Sequence, residues 1–529
     1  MSETGARPRH VVVALLPAAL ALAIGCAARP RPEFPGAPRS TLGLAAGDVT
    51  DSHAVIWARA DAPALMRVVA VEEESKTPPI QGSASVMAES DLTGHVLLSG
   101  LRPATRYKTW VWFEDAEGRP GKRHALQFET APPPDVAAPV RIAWGGDLAG
   151  QNVCRDQREG FAIFRAVQNE HPDLFIGLGN MIHADDGCEA IGRFGNRQVP
   201  GAFGKSADLE SFRAHWRYTR DDDALQDLLS QTPYVAVWDD HEVVNDFGPQ
   251  QDTRDEPPYR SGVPLMPLGR RAFREYNPVA PGAPFHRALR WGRHVELFVL
   301  DTRQYRDPNS QPDSTAEPKT MLGPEQRRWL EERVAASDAT WKVVVSSVPI
   351  SVPTGSPPEH GRDGWANFDQ DTGFERELIG ILKSLHAAGV QNLLWITADV
   401  HFAAAFRYVP FRDDPGFGFH EIASGPLSAG LSANKRFDRT LGTQRLFLYA
   451  PPHPSAVRSF GEAKRWLNFG VLDVGSEGQL VARVVNAYGE TVSSLTLDPA
   501  PRSATCGPTC APMRVQLVTL PAPPATHAW

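Results

Sequence analysis

Hydrophobic positions along the chain fall into two regimes separated by a proline-rich break. Between 40 and 131, segments such as "AVIWARAD" and "TRYKTWVWFED" alternate apolar and polar residues, and "FEDAEGRPGK" supplies a turn. This period of two predicts a small all-β domain of fibronectin-like sandwich type. The segment "APPPDVAAP" at 131–139 predicts a stiff linker, because closely spaced prolines continue neither helix nor strand.

From 139 to 498 short apolar runs alternate with amphipathic segments, the signature of a layered α/β domain. Candidate core strands are "VRIAWGG", "DLFIGLG", "YVAVW", "VELFVLD", "WKVVVSS" and "NLLWITA". Between them, "GFAIFRAVQNEH" puts Phe161, Phe164 and Val167 on one helical face. A second helix starts near Pro324, a favoured first-turn residue. A third carries Leu378, Leu382 and Leu385 and stops at Gly389. After 417 the pattern returns to strands, and the tail at 499–529 is proline-rich, which predicts an appendage rather than a domain.

At 529 residues the chain exceeds what one core usually holds, which agrees with two domains. The net charge of -8 provides no basic excess for binding a phosphate backbone, so a nucleic-acid structural role is excluded. Arg7, Arg9 and His10 precede an apolar run at 11–24 that is short for a membrane span and has the flanks of a signal peptide over 1–26. Ala23-Ile24-Gly25-Cys26 resembles a bacterial lipoprotein cleavage box, which predicts lipid anchoring at Cys26; ordinary secretory cleavage is the alternative. Both readings export the protein to the periplasm or outer surface.

Export leaves Cys154, Cys188, Cys506 and Cys510 in an oxidising compartment, with three possible connectivities. The favoured reading is two structural disulfides, Cys154 with Cys188 and Cys506 with Cys510. A cysteine-rich metal site is disfavoured because no histidine accompanies the terminal pair at zinc-finger spacing.

Four apolar runs each end in residues able to ligate metals: Gly146-Asp147, Gly179-Asn180-Met181-Ile182-His183, Trp238-Asp239-Asp240-His241-Glu242 and Ala398-Asp399-Val400-His401. One Asp after a strand is ordinarily a cap or turn former. Four such ends in succession predict a single crevice at the carboxyl ends of the strands.

The ordered segments "WGGDLAGQ", "FIGLGNMIHAD", "VAVWDDHEVVND", "LDTRQYR" and "ITADVH", with "GLAAGDVTDSHAVIWARAD" near the start, resemble the alkaline phosphatase D family over 42–497. The resemblance implies a metallophosphoesterase-type β-sandwich flanked by helices, with two or more metal ions whose identity stays open among iron, calcium, manganese and zinc. It implies metal ligands at Asp147, Asn180, His183, Asp240, Asp399 and His401, with Asp240 and His241 in catalysis and His241 touching the phosphoryl group. Two residues depart from the family pattern. Asn180 stands where a bridging Asp is usual, and His183 where an iron-binding Tyr is common; both lower the negative charge available to cations.

Arg303 and Arg306 have two readings: bidentate orientation of a substrate phosphate, or a structural clamp with Asp301 or Asp307. Ser347, ending another strand, is a candidate substrate contact. The polar, Gly/Pro-rich stretch "VPTGSPPEHGRDGWANF" is a lid or a surface loop. The leading expectation is an exported phosphoester hydrolase acting on monoesters or diesters. The alternative is an inactive relative that binds phosphate or glycan. Joint presence of Asp147, Asp240, His241, Asp399 and His401 favours the enzyme, and no serine nucleophile is required.

Overall fold

The computed structural model describes residues 1, 32–73, 77–201, 203–249, 259, 261–355, 361–366, 371–500 and 515–519. The apolar leader, Cys26, Cys506 and Cys510 lie outside the described residues.

The chain opens with β1 (Ser40–Gly47), β2 (His53–Ala60), β3 (Ala64–Glu72), β4 (Ile80–Val86), β5 (Thr93–Ser99), β6 (Arg106–Glu114) and β7 (His124–Glu129). A sheet ordered β4-β3-β6-β7 packs on β1, β2 and β5 around Ile56, Val68, Val111 and Phe113. The alternation read from the sequence is visible in β6, which buries Tyr107, Val111 and Phe113 while Arg106 and Lys108 stay exposed.

There follow β8 (Val140–Gly145), α1 (Ile163–Asn169), β9 (Leu174–Leu178), α2 (Leu209–Arg220), α3 (Asp223–Leu229), β10 (Tyr234–Val237), α4 (Met266–Tyr276), β11 (Arg287–Trp291) and β12 (Val295–Val299). Next are α5 (Gly323–Ala336), β13 (Trp341–Val345), α6 (Glu375–Ala387), β14 (Leu393–Thr397), β15 (Ala403–Tyr408), β16 (Phe419–Ala423) and β17 (Gln444–Tyr449). The last elements are α7 (Phe460–Ala463), β18 (Asn468–Val474), β19 (Leu480–Asn486), β20 (Thr491–Leu497) and β21 (Val515–Thr519).

Two large sheets face each other. One runs β21-β20-β19-β18-β8-β9-β10-β1-β2-β5 and the other β11-β12-β13-β14-β16-β15-β17. Trp144, Ile176, Val343 and Ile396 fill the space between them. Helices α1 to α4 cover the outer face of the first sheet through Phe164, Trp216, Leu225 and Phe273. Helices α5 and α6 cover the second through Leu330, Leu378 and Leu382. Strands β9, β10 and β14 are buried along their whole length, as central parallel strands covered on both faces must be, which is why they read as continuous apolar runs.

Three features add to the sequence reading. The N-terminal strands extend the larger sheet, because β1 pairs in parallel with β10 at Gly47 and Tyr234. The 131–139 segment is not a free spacer: Gly292 N–H donates to Pro132 O and Arg293 N–H to Val136 O. The tail contributes an edge strand, since β21 pairs antiparallel with β20. Among the described residues no helix is long and apolar enough to cross a membrane.

Candidate active site

Strands β8, β9 and β10 run parallel in one sheet, and β12, β13 and β14 run parallel in the other. Their carboxyl ends open on a common rim, where Asp147, Asn180, Asp239, Ser347 and Asp399 leave the sheets. The chain must turn at once there. Asp147 (φ 64°), Asn180 (φ 52°), Asp246 (φ 55°), Asp399 (φ 70°) and His401 (φ 56°) all adopt the left-handed region, a conformation that costs non-glycine residues energy and clusters at functional sites.

The histidines are held in defined tautomers. His183 Nδ1–H donates to Leu148 O at 3.0 Å, which leaves its buried Nε2 lone pair without a partner. His401 Nδ1–H donates to Gly430 O at 2.5 Å, and its Nε2 lies 3.6 Å from Asp147 Oδ1. His183 stacks on His241 with ring centres 4.2 Å apart. Its ring also abuts Gly150, where a Cβ would fall 2.3 Å from Nε2, so a larger residue there would displace the imidazole.

Carboxylates crowd the same space. Oxygens of Asp239, Asp240 and Asp399 lie within 4.8 Å of one another, as do those of Asp240, Asp246 and Asp363. Oδ2 of Asp147, Asp239 and Asp399 are all buried with no hydrogen-bond partner. Burial raises the Asp147 and Asp399 carboxyls, Asp399 well above the usual range with further push from Asp239 and Asp240. Burial also lifts Asp239 to about 6 against the pull of Arg303. For Asp240, burial pushes upward but Arg303 and His241 outweigh it and hold the carboxyl low. Buried, unpaired carboxylate oxygens beside an unpaired imidazole nitrogen are costly unless cations neutralise them, and mixed oxygen and nitrogen donors suit divalent metals. The residues present therefore fit metal ions.

Asn180 bridges the cluster by hydrogen bonds: Nδ2 donates to Asp147 Oδ1 at 3.2 Å, and Oδ1 accepts from His241 N–H at 3.0 Å. An aspartate there could not donate to Asp147. His241 is held by Asp185, whose Oδ1 accepts from Nδ1–H at 2.7 Å while Oδ2 accepts from Asn245 N–H at 2.8 Å. Burial disfavours an imidazolium at His241, but Asp185 and Asp240 more than offset it and hold the ring well above its ordinary value. His183 is driven the other way, well below, by burial and by the neighbouring His241.

Glu242 ties two of the strand ends together. Its carboxylate accepts from Asp239 N–H at 2.7 Å, Asn180 N–H at 3.0 Å and Met181 N–H at 2.8 Å. Cys154 and Cys188 form a disulfide between the segments that follow Asp147 and His183.

Arg303 lies behind the rim rather than on it. It is fully buried, with Nε 2.6 Å from Asp239 Oδ1 and the two terminal nitrogens 2.5 and 2.7 Å from the oxygens of Asp363. Arg306 joins the same Asp363 at 2.7 Å. The clamp partners are thus Asp239 and Asp363, not Asp301 or Asp307. Ser347 is likewise buried and donates to Asp239 Oδ1 at 2.8 Å. A cleft of about 280 Å³ remains open over the site, lined by Asp240, His241, Asp399, His401, Gln151 and Asn434, with Val352 to Gly355 on its wall.

The profile described as PhoD-like phosphatase matches residues 142–464, and that of the PhoD-like phosphatase N-terminal domain matches 25–125. The chain belongs to the PhoD-like phosphatases. It is 25% identical over 449 residues to Alkaline phosphatase D of Bacillus subtilis (strain 168), covering 77% of this chain and 72% of that protein. A solved structure described as "Structure of PhoD" superposes with a TM-score of 0.69 at 19% identity, over 88% of this chain and 92% of the other. Purple acid phosphatase PPD1 from yellow lupin (Lupinus luteus) seeds superposes at 0.56 and 13% identity, over 87% and 74%. These two likenesses show a shared fold. Membership makes this PhoD-like phosphatase a hydrolase of phosphoesters.

Sequence reasoning brought Asp147, Asn180, His183, Asp240, His241, Asp399 and His401 to one place in this phosphatase. It gave no specific role to Asp239, Glu242 or Asp185, and passed over Asp246 and Asp363. Asp239 and Glu242 were visible as charges at the end of an apolar run. Asp363 carried no local signal, because its meaning comes from two arginines about sixty positions away in the chain.

Proposed function

We propose that this phosphatase is an exported enzyme whose hydrolysis of phosphomonoesters and phosphodiesters depends on two or more metal ions. The observation that carries the reading is the set of buried ligand atoms left without partners: Asp147 Oδ2, Asp239 Oδ2, Asp399 Oδ2 and His183 Nε2. His183, His401 and Asp147 offer a nitrogen-rich side suited to iron, zinc or manganese. Asp239, Asp240 and Asp399 offer an all-oxygen side suited to calcium or manganese. Asn180 contributes through the second lone pair of its Oδ1. When bound, such ions supply positive charge against the phosphoryl oxygens and acidify water.

The protein's own groups do the rest. His241, oriented by Asp185 through Nδ1, lines the cleft and donates a hydrogen bond to a phosphoryl oxygen or a proton to the leaving-group oxygen. Arg303 and Ser347 act through Asp239, fixing its carboxylate in one direction, so both are positioning residues rather than substrate contacts. The leader over 1–26, with lipid at Cys26, places the enzyme outside the cytoplasm, in keeping with the Cys154–Cys188 disulfide. The N-terminal unit spans 40–131 and the catalytic unit 139–498.

Hydrolysis of p-nitrophenyl phosphate and bis-p-nitrophenyl phosphate by metal-stripped protein tests the proposal, with calcium, iron, manganese or zinc restored singly and in pairs. Turnover restored by a metal combination and lost in Asp399→Asn supports it. Undiminished turnover by the stripped protein refutes metal dependence.

A further inference from the structure

The cleft wall on the His401 side is built by the segment between β16 and β17. Ser432 N–H donates to His401 O at 3.2 Å, and both Ser432 and Asn434 line the cleft. Directly beyond Asn434 the chain presents four exposed cations in eleven positions: Lys435, Arg436, Arg439 and Arg445. Arg439 and Arg445 each stand 5.3 Å from the ring centre of Phe437, and Arg445 Nη1 donates to Lys435 O at 3.1 Å. Among the described residues none of the four makes an ion pair; Asp438, the one acid among them, is buried and turned inward, with its Oδ1 accepting from Thr440 N–H. Cations elsewhere on this protein, such as Arg39, Arg59, Arg213 and Arg483, are matched by carboxylates.

We propose that the preferred substrate carries a second anionic group, a phosphate or a carboxylate, on the leaving alcohol, and that Lys435 and Arg436 hold it at the mouth of the cleft. The inference rests on the phosphoester-hydrolase reading above and narrows its substrate class. Asn434 fixes the geometry: its Oδ1 accepts from Arg436 N–H at 3.0 Å, which turns the chain so that the two cations follow directly from a cleft-lining residue. A substrate held at its phosphoryl end by the strand-end cluster would extend its leaving group out of the cleft, where this loop carries unpaired positive charge. Arg439 and Arg445, braced on Phe437, continue the same positive surface.

The test compares released phosphate from glycerol 2-phosphate, with a neutral leaving alcohol, with that from 3-phosphoglycerate, which adds a carboxylate, and fructose 1,6-bisphosphate, which adds a phosphate. Lys435→Ala/Arg436→Ala is expected to raise KM for one or both anionic esters about three- to ten-fold, with kcat and the KM for glycerol 2-phosphate unchanged. The anionic ester that responds identifies the group recognised. In the parent protein, about 0.3 M salt should raise the same KM selectively, because exposed charges are screened. Equal changes for all three esters, or none, would overturn the proposal.

Failure of the parent protein to hydrolyse glycerol 2-phosphate would count against the hydrolase reading separately. The loop is then judged by calorimetric titration with methylenebisphosphonate and methylphosphonate. A preference for the bisphosphonate that the double variant abolishes supports the inference, and equal affinities overturn it.

Discussion

The Cys154–Cys188 disulfide closes a 34-residue separation in sequence and joins the segments that carry Asp147, His183 and Asp185. Replacing both cysteines, Cys154→Ser/Cys188→Ser, removes the crosslink without leaving a free thiol. Loop-closure entropy for a separation of this size gives about 4 kcal/mol of stabilisation at 25 °C, within the range of about 2–5 kcal/mol typical of native disulfides. The covalent tie is reinforced locally: Cys154 N–H donates to Gln198 Oε1 at 3.0 Å, and Gly201 N–H donates to Cys188 O at 2.9 Å. Those bonds remain in the variant, so the fold is expected to survive with a weakened rim. Calorimetry should show Tm lowered by about 4–6 °C, because a unit of this size unfolds with a large entropy. Metal content after dialysis should fall as well, because two ligand-bearing segments gain freedom that binding must then remove. A Tm within about 2 °C of the parent would refute the crosslink's assigned role.

Other consequences follow from individual contacts. Asp185→Asn keeps the shape of the side chain but removes the charge that orients His241, so kcat should fall about 10- to 100-fold with KM little changed; equal loss in both would contradict a positioning role. His420 is buried with neither ring nitrogen partnered, and burial, aided by Arg407, lowers it to about 4. The fold thus holds a neutral ring, whose contribution is intact above pH 6.5 and is lost as acid protonates the unfolded chain first, down to about pH 4. His420→Leu should add about 1–2 kcal/mol at neutral pH and flatten the acid limb of stability; urea melts at pH 7.5 and 5 that shift equally would refute this. At Gly269 in α4 a Cβ would meet Glu242 O at 2.7 Å. Gly269→Ala should therefore destabilise by about 1–2 kcal/mol, despite a gain of about 1 kcal/mol in helix propensity, and lower kcat by displacing the Asp239–His241 segment. An unchanged melting curve would show that the neighbours yield freely.

What the sequence determined by itself was whatever repeats locally. Continuous apolar runs marked β9, β10 and β14, because strands buried on both faces need apolar residues at every position, and β8, β12 and β13 were legible although each carries one charged residue, Arg141, Glu296 and Lys342. The polar residues ending those runs marked the rim, because a ligand crevice forms where parallel strands stop. Tertiary structure decided what depends on partners distant in the chain. Arg303 could be read equally well as a phosphate contact or a clamp until Asp239 and Asp363 were seen to engulf its guanidinium. Glu242 looked like one more acid in "WDDHE", yet it binds backbone N–H groups about sixty residues earlier. Asn180 looked like a weakened ligand, and the fold shows it donating to Asp147 and accepting from His241, a pairing that an ionised carboxylate cannot make. The physical reason is common to all three: a side chain's type is written in the sequence, but burial and the groups facing it select among the interactions that type allows.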